Sequence, residues 1–211
     1  MTAIPAPVAR AQFRRFASWV AVSHVGYAMF GDVHLQPFGS TSPFRLSDVD
    51  PQAVVVGFAF GAVSGAIVGT LQWLVLRGWA PRARGWIPAT SVGFGLAHTL
   101  NDAVPYRALD LVLILVIGGV ALGALQSSAL RRAIPGPGRW IPVTAFAWVT
   151  GWMIGSQVIA HIDRNPLAEL FLGNGLTGLI VGAITGAALL AWIPVGGPDP
   201  DHSGTCPSTQ P

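Results

Sequence analysis

Histidine and aspartate are the residues of this sequence that could bind a ligand or a metal ion. His24 stands in an apolar segment about 12 Å from its start at Phe16 by helical rise, close to the middle of a membrane span. An ionisable group at that depth indicates either a functional site or a hydrogen bond to a backbone carbonyl. The other candidates for a cavity or ligand site are Asp32, His98, Asp102, His161 and Asp163.

These side chains support no specific cofactor. Haem would need two axial ligands at similar depth, which His24 and His98 could supply. A divalent metal site could form from His98, Asp102, His161 and Asp163 if the fold brings them together. The sequence has no HExxH motif, nucleophile elbow, phosphate loop or dinucleotide motif in a suitable context. We therefore predict no cofactor, no metal, no catalytic residue and no enzyme activity.

The composition is typical of a membrane protein. Of 211 residues, 52% are hydrophobic and 10% are charged, whereas about a quarter are charged in a soluble domain. A pI near 10.0 would suit nucleic acid, but the arginines stand in short groups beside apolar segments. We therefore expect a lipid bilayer as partner and no nucleic acid. The single cysteine, Cys206, excludes a disulfide within the chain.

Six apolar segments predict an all-α integral membrane protein with six transmembrane helices. Each segment is near the roughly 20 residues that cross the hydrocarbon core. The segments lie at 13–31, 52–76, 86–104, 109–130, 140–161 and 167–193. Residues 1–12 are expected to form a cytoplasmic arm, and residues 194–211 a disordered cytoplasmic tail without an apolar pattern.

Arginine groups predict the orientation of these segments. Nine arginines flank alternate ends of the segments, and such an excess marks the cytoplasmic side. Both termini are therefore expected in the cytoplasm. Trp86 and Trp140, beside two of the groups, are expected to anchor the chain at the membrane interface. The nine are Arg10, Arg14, Arg15, Arg77, Arg82, Arg84, Arg131, Arg132 and Arg139.

Two stretches of the chain repeat at a fixed offset. Residues 69–72 (Gly-Thr-Leu-Gln) recur 54 positions later at 123–126 as Gly-Ala-Leu-Gln, and Trp-Ile-Pro-Ala-Thr at 86–90 recurs at 140–144 as Trp-Ile-Pro-Val-Thr. In a more degenerate third copy, a leucine at 189 replaces the glutamine. We interpret the chain as tandem parallel hairpins related by an axis along the membrane normal. The three hairpins are 13–76, 86–130 and 140–193.

Glycine recurs at every fourth position in the even-numbered segments. This spacing places glycines on one helix face, where a second helix can approach closely. We expect these faces to pack helices of the same chain; the alternative is a homo-oligomer or a partner membrane subunit. The glycines are Gly57, Gly61, Gly65, Gly69, Gly119, Gly123, Gly178, Gly182 and Gly186.

Two glutamines are expected to hold helices together. Helical rise places Gln72 about 7 Å, and Thr90 about 6 Å, inside the same membrane boundary. Gln126 and Thr144 stand in the same relation. We predict a hydrogen bond from Gln72 to Thr90 and another from Gln126 to Thr144, each contributing ~0.6–2 kcal/mol.

One resemblance to known proteins rests on residues 65–77, with the pattern Gly-x3-Gly-x2-Gln-Trp-x2-Leu-Arg from Gly65 to Arg77, and on the Trp86 segment that follows. It resembles the repeated helix hairpins of uncharacterised bacterial polytopic membrane proteins, best over residues 57–155. The resemblance implies a protein of the bacterial inner membrane. It implies no activity and no site residue.

Two functions fit these observations. The first is a non-catalytic packed membrane module or accessory subunit of a membrane assembly. The second is a small-solute or ion transporter or channel, with a polar cavity open to the outside and His24 near its floor. The predicted spans contain no Asp, Glu, Arg or Lys near the middle of the membrane. Because coupled transport often uses such a charge, the first function is favoured.

Overall fold

The computed structural model describes residues 6–30, 51–103, 108–161 and 169–193. Over these ranges the chain is helical and contains no β-strand, which confirms the all-α prediction. The helices are α1 (Ala6–Phe30), α2 (Pro51–Leu76), α3 (Trp86–Ala103), α4 (Ala108–Leu130), α5 (Trp140–His161) and α6 (Gly175–Trp192). The predicted tail, 194–211, lies outside the described residues.

Local sequence explains where the helices begin. Pro51 opens α2, and Pro88 and Pro142 fall in the first turns of α3 and α5. A proline is tolerated there because the first N–H groups of a helix have no partner within it. The first helix starts at Ala6 rather than at 13 as predicted. Its added residues are mainly alanine, arginine and glutamine, which favour helix, and Pro7 lies in the first turn.

The last predicted span, 167–193, is helical from Glu169 to Trp192, but its first six described residues are π-helical. A π-helical turn, Glu169–Asn174, precedes α6. Such turns widen the backbone locally, and here the widened segment lies against α5. The Thr177 hydroxyl donates to the Gly151 and Gly173 carbonyl oxygens, each at 3.1 Å. A Cβ at Gly155 would lie 2.8 Å from the Gly173 oxygen, so two backbones meet where neither residue has a side chain.

The six helices form a closed ring. Each helix packs against its neighbours in the sequence, and α6 packs against α1. The connections on one side of the ring are short: turns link α2 to α3, and a 3-10 turn, Pro137–Arg139, precedes α5. We call this side the arginine-rich end, because the α2–α3 and α4–α5 connections carry six arginines.

The glycine faces of the even-numbered helices lie inside the ring, and all nine glycines considered above are buried. A Cβ at Gly65 of α2 would lie 2.6 Å from the Thr90 carbonyl oxygen of α3. A Cβ at Gly123 of α4 would lie 2.9 Å from Ile141 Cα of α5. A Cβ at Gly178 of α6 would meet α1 at similar distance. Each even-numbered helix therefore presents its glycine face to the next odd-numbered helix around the ring.

Three helices are long and apolar enough to cross a membrane. Among the described residues they are, by length and composition, Pro51–Leu76, Val112–Leu130 and Phe171–Trp192. Large apolar side chains are exposed on the outside of the ring. Examples are Val55, Val63, Leu113, Phe146 and Leu172, each more than half exposed. An apolar exterior on helices of this length indicates a membrane protein.

Candidate functional site

Three tryptophans meet inside the ring near the arginine-rich end. Trp19, Trp86 and Trp140 open the apolar parts of α1, α3 and α5 and are 0%, 0% and 1% exposed. The Trp86 ring centroid lies 5.7 Å from that of Trp19 and 5.8 Å from that of Trp140, both with edge-to-face geometry. The expectation that Trp86 and Trp140 anchor the chain at the membrane interface is wrong. Both indoles point inward and form part of the core. We call Trp19, Trp86 and Trp140 together the tryptophan layer.

The two glutamines hydrogen-bond between helices, but not to the predicted partners. Gln72 Nε2 donates to Ser23 Oγ of α1 at 3.1 Å. Gln126 Nε2 donates to Thr90 Oγ1 of α3 at 3.1 Å. The predicted pairs Gln72–Thr90 and Gln126–Thr144 are therefore wrong. Each glutamine donates to the odd-numbered helix of its own hairpin rather than to that of the next.

The angular position of Gln72 around α2 explains why its partner lies on α1 and not on α3. Gln72 stands three residues after Gly69, so its side chain is turned about 60° away from the glycine face. That face is covered by α3, because a Cβ at Gly69 would lie 3.0 Å from Thr90 Cβ. The rotation directs the amide of Gln72 toward α1. Helical rise predicts the level of a side chain correctly, but it does not predict which neighbouring helix that side chain reaches.

A second bond joins one hairpin to the next. Trp140 Nε1 donates to Gln126 Oε1 at 2.9 Å, so the Gln126 amide uses both of its ends. Around α6, where Leu189 stands in place of a glutamine, Trp19 Nε1 instead donates to Thr185 Oγ1 at 3.0 Å. Thr144 Oγ1 is buried and has no hydrogen-bond partner among the described residues. This is consistent with a leucine at the position where the other two hairpins have glutamine.

Thr90 and Thr144 therefore provide a matched pair of substitutions. We expect Thr90→Val to lower the free energy of unfolding by about 1 kcal/mol, because it removes a buried interhelical hydrogen bond. Thr144→Val should have little effect, since its hydroxyl has no bond to lose. The measurement is a denaturation titration in mixed micelles, followed by tryptophan fluorescence.

A double-mutant cycle tests the same pairing. The double variant Gln126→Leu with Thr90→Val should lose less free energy of unfolding than the sum of the two single variants, because both changes remove the same hydrogen bond. Gln72→Leu and Thr90→Val should be additive. Coupling of Gln72 with Thr90, or equal losses for the two threonines, would contradict the hydrogen bonds described here.

A second aromatic layer lies two helical turns beyond the tryptophan layer. Tyr27, Phe94 and Trp148 each stand eight residues after a layer tryptophan, and each is at most 3% exposed. Their ring centroids form a closed triangle with sides of 5.5, 6.1 and 5.3 Å. Edge-to-face contacts of this kind fill space densely. The interior of the ring is thus packed with side chains at both levels.

The three histidines in the described residues face different surroundings. His24 Nδ1 donates to the Gly175 carbonyl oxygen of α6 at 2.8 Å. His98 is 5% exposed, and its ring contacts Phe60 and Phe94. His161 is exposed, and its Nδ1 donates to the carbonyl oxygen of Gln157 in its own helix.

The structure does not join these histidines into one site. His24 serves the α1–α6 contact, and His98 lies against Gly61 of α2. In the part of the chain that the structure describes, no three His, Cys, Asp or Glu side chains lie together as a metal site would require. The aspartates of the predicted site, Asp32, Asp102 and Asp163, lie outside the residues whose side chains are described.

Several residues of this interior were missed by sequence reasoning. Ser23 and Thr185 accept hydrogen bonds from other helices, and Tyr27, Phe94 and Trp148 form the second aromatic layer. One signal could have found the aromatic residues: an aromatic side chain recurs eight positions after Trp19, Trp86 and Trp140. Eight residues is close to two helical turns, so both rings lie on one face.

No protein-family model, curated protein or solved structure matches this chain. The function is therefore inferred from its own residues and their geometry.

Proposed function

We propose that this protein is a non-catalytic packed membrane module, acting as an accessory subunit of a membrane assembly in the bacterial inner membrane. All six helices cross the membrane, as three parallel two-helix repeats, and both termini are cytoplasmic. The observation that carries the proposal is the aromatic filling of the ring. A transporter needs a polar path along the ring axis, whereas the tryptophan layer and the second aromatic layer occupy that axis.

The distribution of charge supports the proposed orientation. The described arginines of the connecting turns lie at one end of the ring, and Arg10, Arg14 and Arg15 lie in the first half of α1. The positive-inside rule assigns that end to the cytoplasm. The odd-numbered helices are less apolar than the three candidate spans: they carry the buried tryptophans of the interior, and α1 also carries three arginines. Packing inside the ring compensates for their lower hydropathy.

The outer surface supports a role in assembly. The glycine faces are covered by helices of the same chain, so a partner subunit would meet the apolar exterior instead. Phe146 of α5 is 63% exposed, and Val63 of α2 is 62% exposed. Side chains of this kind pack equally well against lipid or against the helix of another protein.

His24 distinguishes this function from the transporter alternative. In that alternative its imidazole lines a cavity open to the outside. In the described residues the imidazole is half-buried against α6, and a Cβ at Gly175 would lie 2.7 Å from His24 Cε1. A histidine that hydrogen-bonds a backbone carbonyl at a helix contact is explained by packing alone.

Cysteine accessibility tests the proposal. In a Cys206→Ser background, we expect a cysteine replacing Thr90 or His24 to remain unlabelled when intact cells meet a membrane-impermeant thiol reagent. The physical reason is that Thr90 is 0% exposed and His24 packs on α6. His161→Cys, on an exposed residue at the end of α5 opposite the arginine-rich end, serves as the externally accessible control.

Alkylation after denaturation shows that each cysteine is present and able to react. Labelling of position 24 from outside, at a rate near that of position 161, would contradict the packed module and favour the transporter. Labelling of position 161 alone supports the module.

A further inference from the structure

An open concavity lies between two connecting turns at the arginine-rich end. Arg82 and Arg84 of the α2–α3 turn and Arg132 of the α4–α5 connection line it, together with Pro81. All three arginines are exposed. Within the described part of the chain, no acidic residue lines this concavity. Its described lining therefore has three guanidinium groups and no carboxylate among them.

The α2–α3 turn holds its arginines in place. Ala83, between Arg82 and Arg84, is 0% exposed and packs into the same core cluster as the tryptophan layer. Its N–H donates to the Ala80 carbonyl oxygen at 3.0 Å, and the Trp86 N–H donates to the Ala83 carbonyl oxygen at 3.1 Å. Because Ala83 is fixed inward, its two neighbours are directed outward from a rigid turn.

The second turn is attached to the first. A Cβ at Gly85 would lie 3.6 Å from Ala129 Cβ, so the α2–α3 turn touches the end of α4. Beyond it, the Ile134 N–H donates to the Leu130 carbonyl oxygen at 3.1 Å, and Ile134 is 5% exposed. Arg132 stands between these two buried residues. Two rigid turns thus bring three cations to one surface before any ligand arrives.

We propose that this concavity binds the phosphate of an anionic phospholipid. A guanidinium group donates two parallel hydrogen bonds to phosphate oxygens. Under the proposed membrane orientation, on which this inference rests, the turns lie at the level of the cytoplasmic headgroups. Basic pockets between helices on that side suit anionic headgroups. Leu74, near the end of α2 on the same side of the ring, is an apolar side chain that is 47% exposed.

Several arginines lie at this end of the ring. The experiment must therefore distinguish binding in the concavity from a general electrostatic attraction of anionic lipid to all of them. The variant Arg82→Gln with Arg84→Gln and Arg132→Gln removes the three lining cations. The matched control Arg14→Gln with Arg131→Gln and Arg139→Gln removes the same charge from exposed arginines that do not line the concavity. The full chain, purified in mild detergent, is titrated with short-chain phosphatidylglycerol, phosphatidylcholine or inorganic phosphate and followed by native mass spectrometry.

We expect one phosphatidylglycerol to bind the wild type more tightly than phosphatidylcholine. Each arginine near an anionic headgroup contributes about a factor of five, so the concavity variant should bind on the order of a hundredfold more weakly. The control variant should stay close to wild type. Equal losses in both variants, or equal affinity for the two lipids, would overturn the site. Competition by inorganic phosphate at similar concentration would reassign it to a free anion.

The outcome is separable from that of the proposed function. Labelling of a cysteine at position 24 from outside would reject the packed module and leave the lipid site standing. Loss of phosphatidylglycerol selectivity, with position 24 unlabelled, would reject the lipid site alone. Unchanged helicity and thermal unfolding of both triple variants exclude misfolding as the cause of weaker binding.

Discussion

Trp148→Ala is expected to lower the free energy of unfolding by about 3–5 kcal/mol, the range for truncating a large aromatic side chain in a packed interior. Trp148 is 3% exposed, and its ring contacts both Tyr27 and Phe94. Removing it opens a cavity between three helices at once. The measurement is a denaturation titration of the detergent-purified protein, followed by circular dichroism so that the loss of one tryptophan does not alter the signal.

Phe146 provides the control on the same helix. It stands two residues earlier and is 63% exposed, so Phe146→Ala removes an aromatic side chain from the outer surface and opens no cavity. Its effect should be small in detergent. If Phe146→Ala were as damaging as Trp148→Ala, the aromatic filling of the ring would not be what stabilises the fold.

Gly65→Ala is expected to destabilise the protein by about 1–3 kcal/mol, although alanine favours helix more than glycine does. The added Cβ would lie 2.6 Å from the Phe94 Cβ and 2.6 Å from the Thr90 carbonyl oxygen. Neither atom can rotate away, since the Thr90 oxygen belongs to the backbone and the Phe94 Cβ is bonded directly to the backbone. The helices α2 and α3 must therefore separate along their contact. Thermal unfolding followed by intrinsic fluorescence measures the loss.

Gly138→Ala is the corresponding control. Nothing lies within 4 Å of a Cβ built at Gly138, which is in the turn before α5. This substitution should leave the melting temperature close to that of the wild type. A comparable drop for both alanines would mean that the effect at Gly65 does not come from the helix contact.

The level of each residue along the axis of its helix could be read from the sequence. Trp86 and Trp140 begin α3 and α5 as predicted, and Gln72 and Gln126 lie near the same end as these tryptophans. Helix extents and levels follow from the length of each apolar segment and from 1.5 Å of rise per residue. The start of α1 could not be placed in this way, because its first turns are helical without being apolar.

The direction of each side chain around its helix could not be read in the same way. Tryptophan is common both at membrane interfaces and in aromatic cores, so the level of Trp86 did not decide between the two. The glutamine partners were wrong for a related reason: Gln72 reaches Ser23, and Gln126 reaches Thr90. Which neighbouring helix a side chain reaches depends on how its own helix is rotated about its axis. That rotation is determined by the neighbour against which the glycine face of the helix packs.

The closed ring has a consequence for how the chain is made. Synthesis runs from the N-terminus, so α1 is made first, whereas α6, which accepts two of its side-chain hydrogen bonds, is made last. The acceptor for Trp19 lies 166 residues later, and that for His24 lies 151 residues later. Until α6 is made, the His24 imidazole and the Trp19 indole of α1 lack these acceptors. The last helix, α6, therefore closes the ring: until it packs against α1, the helices form an open row.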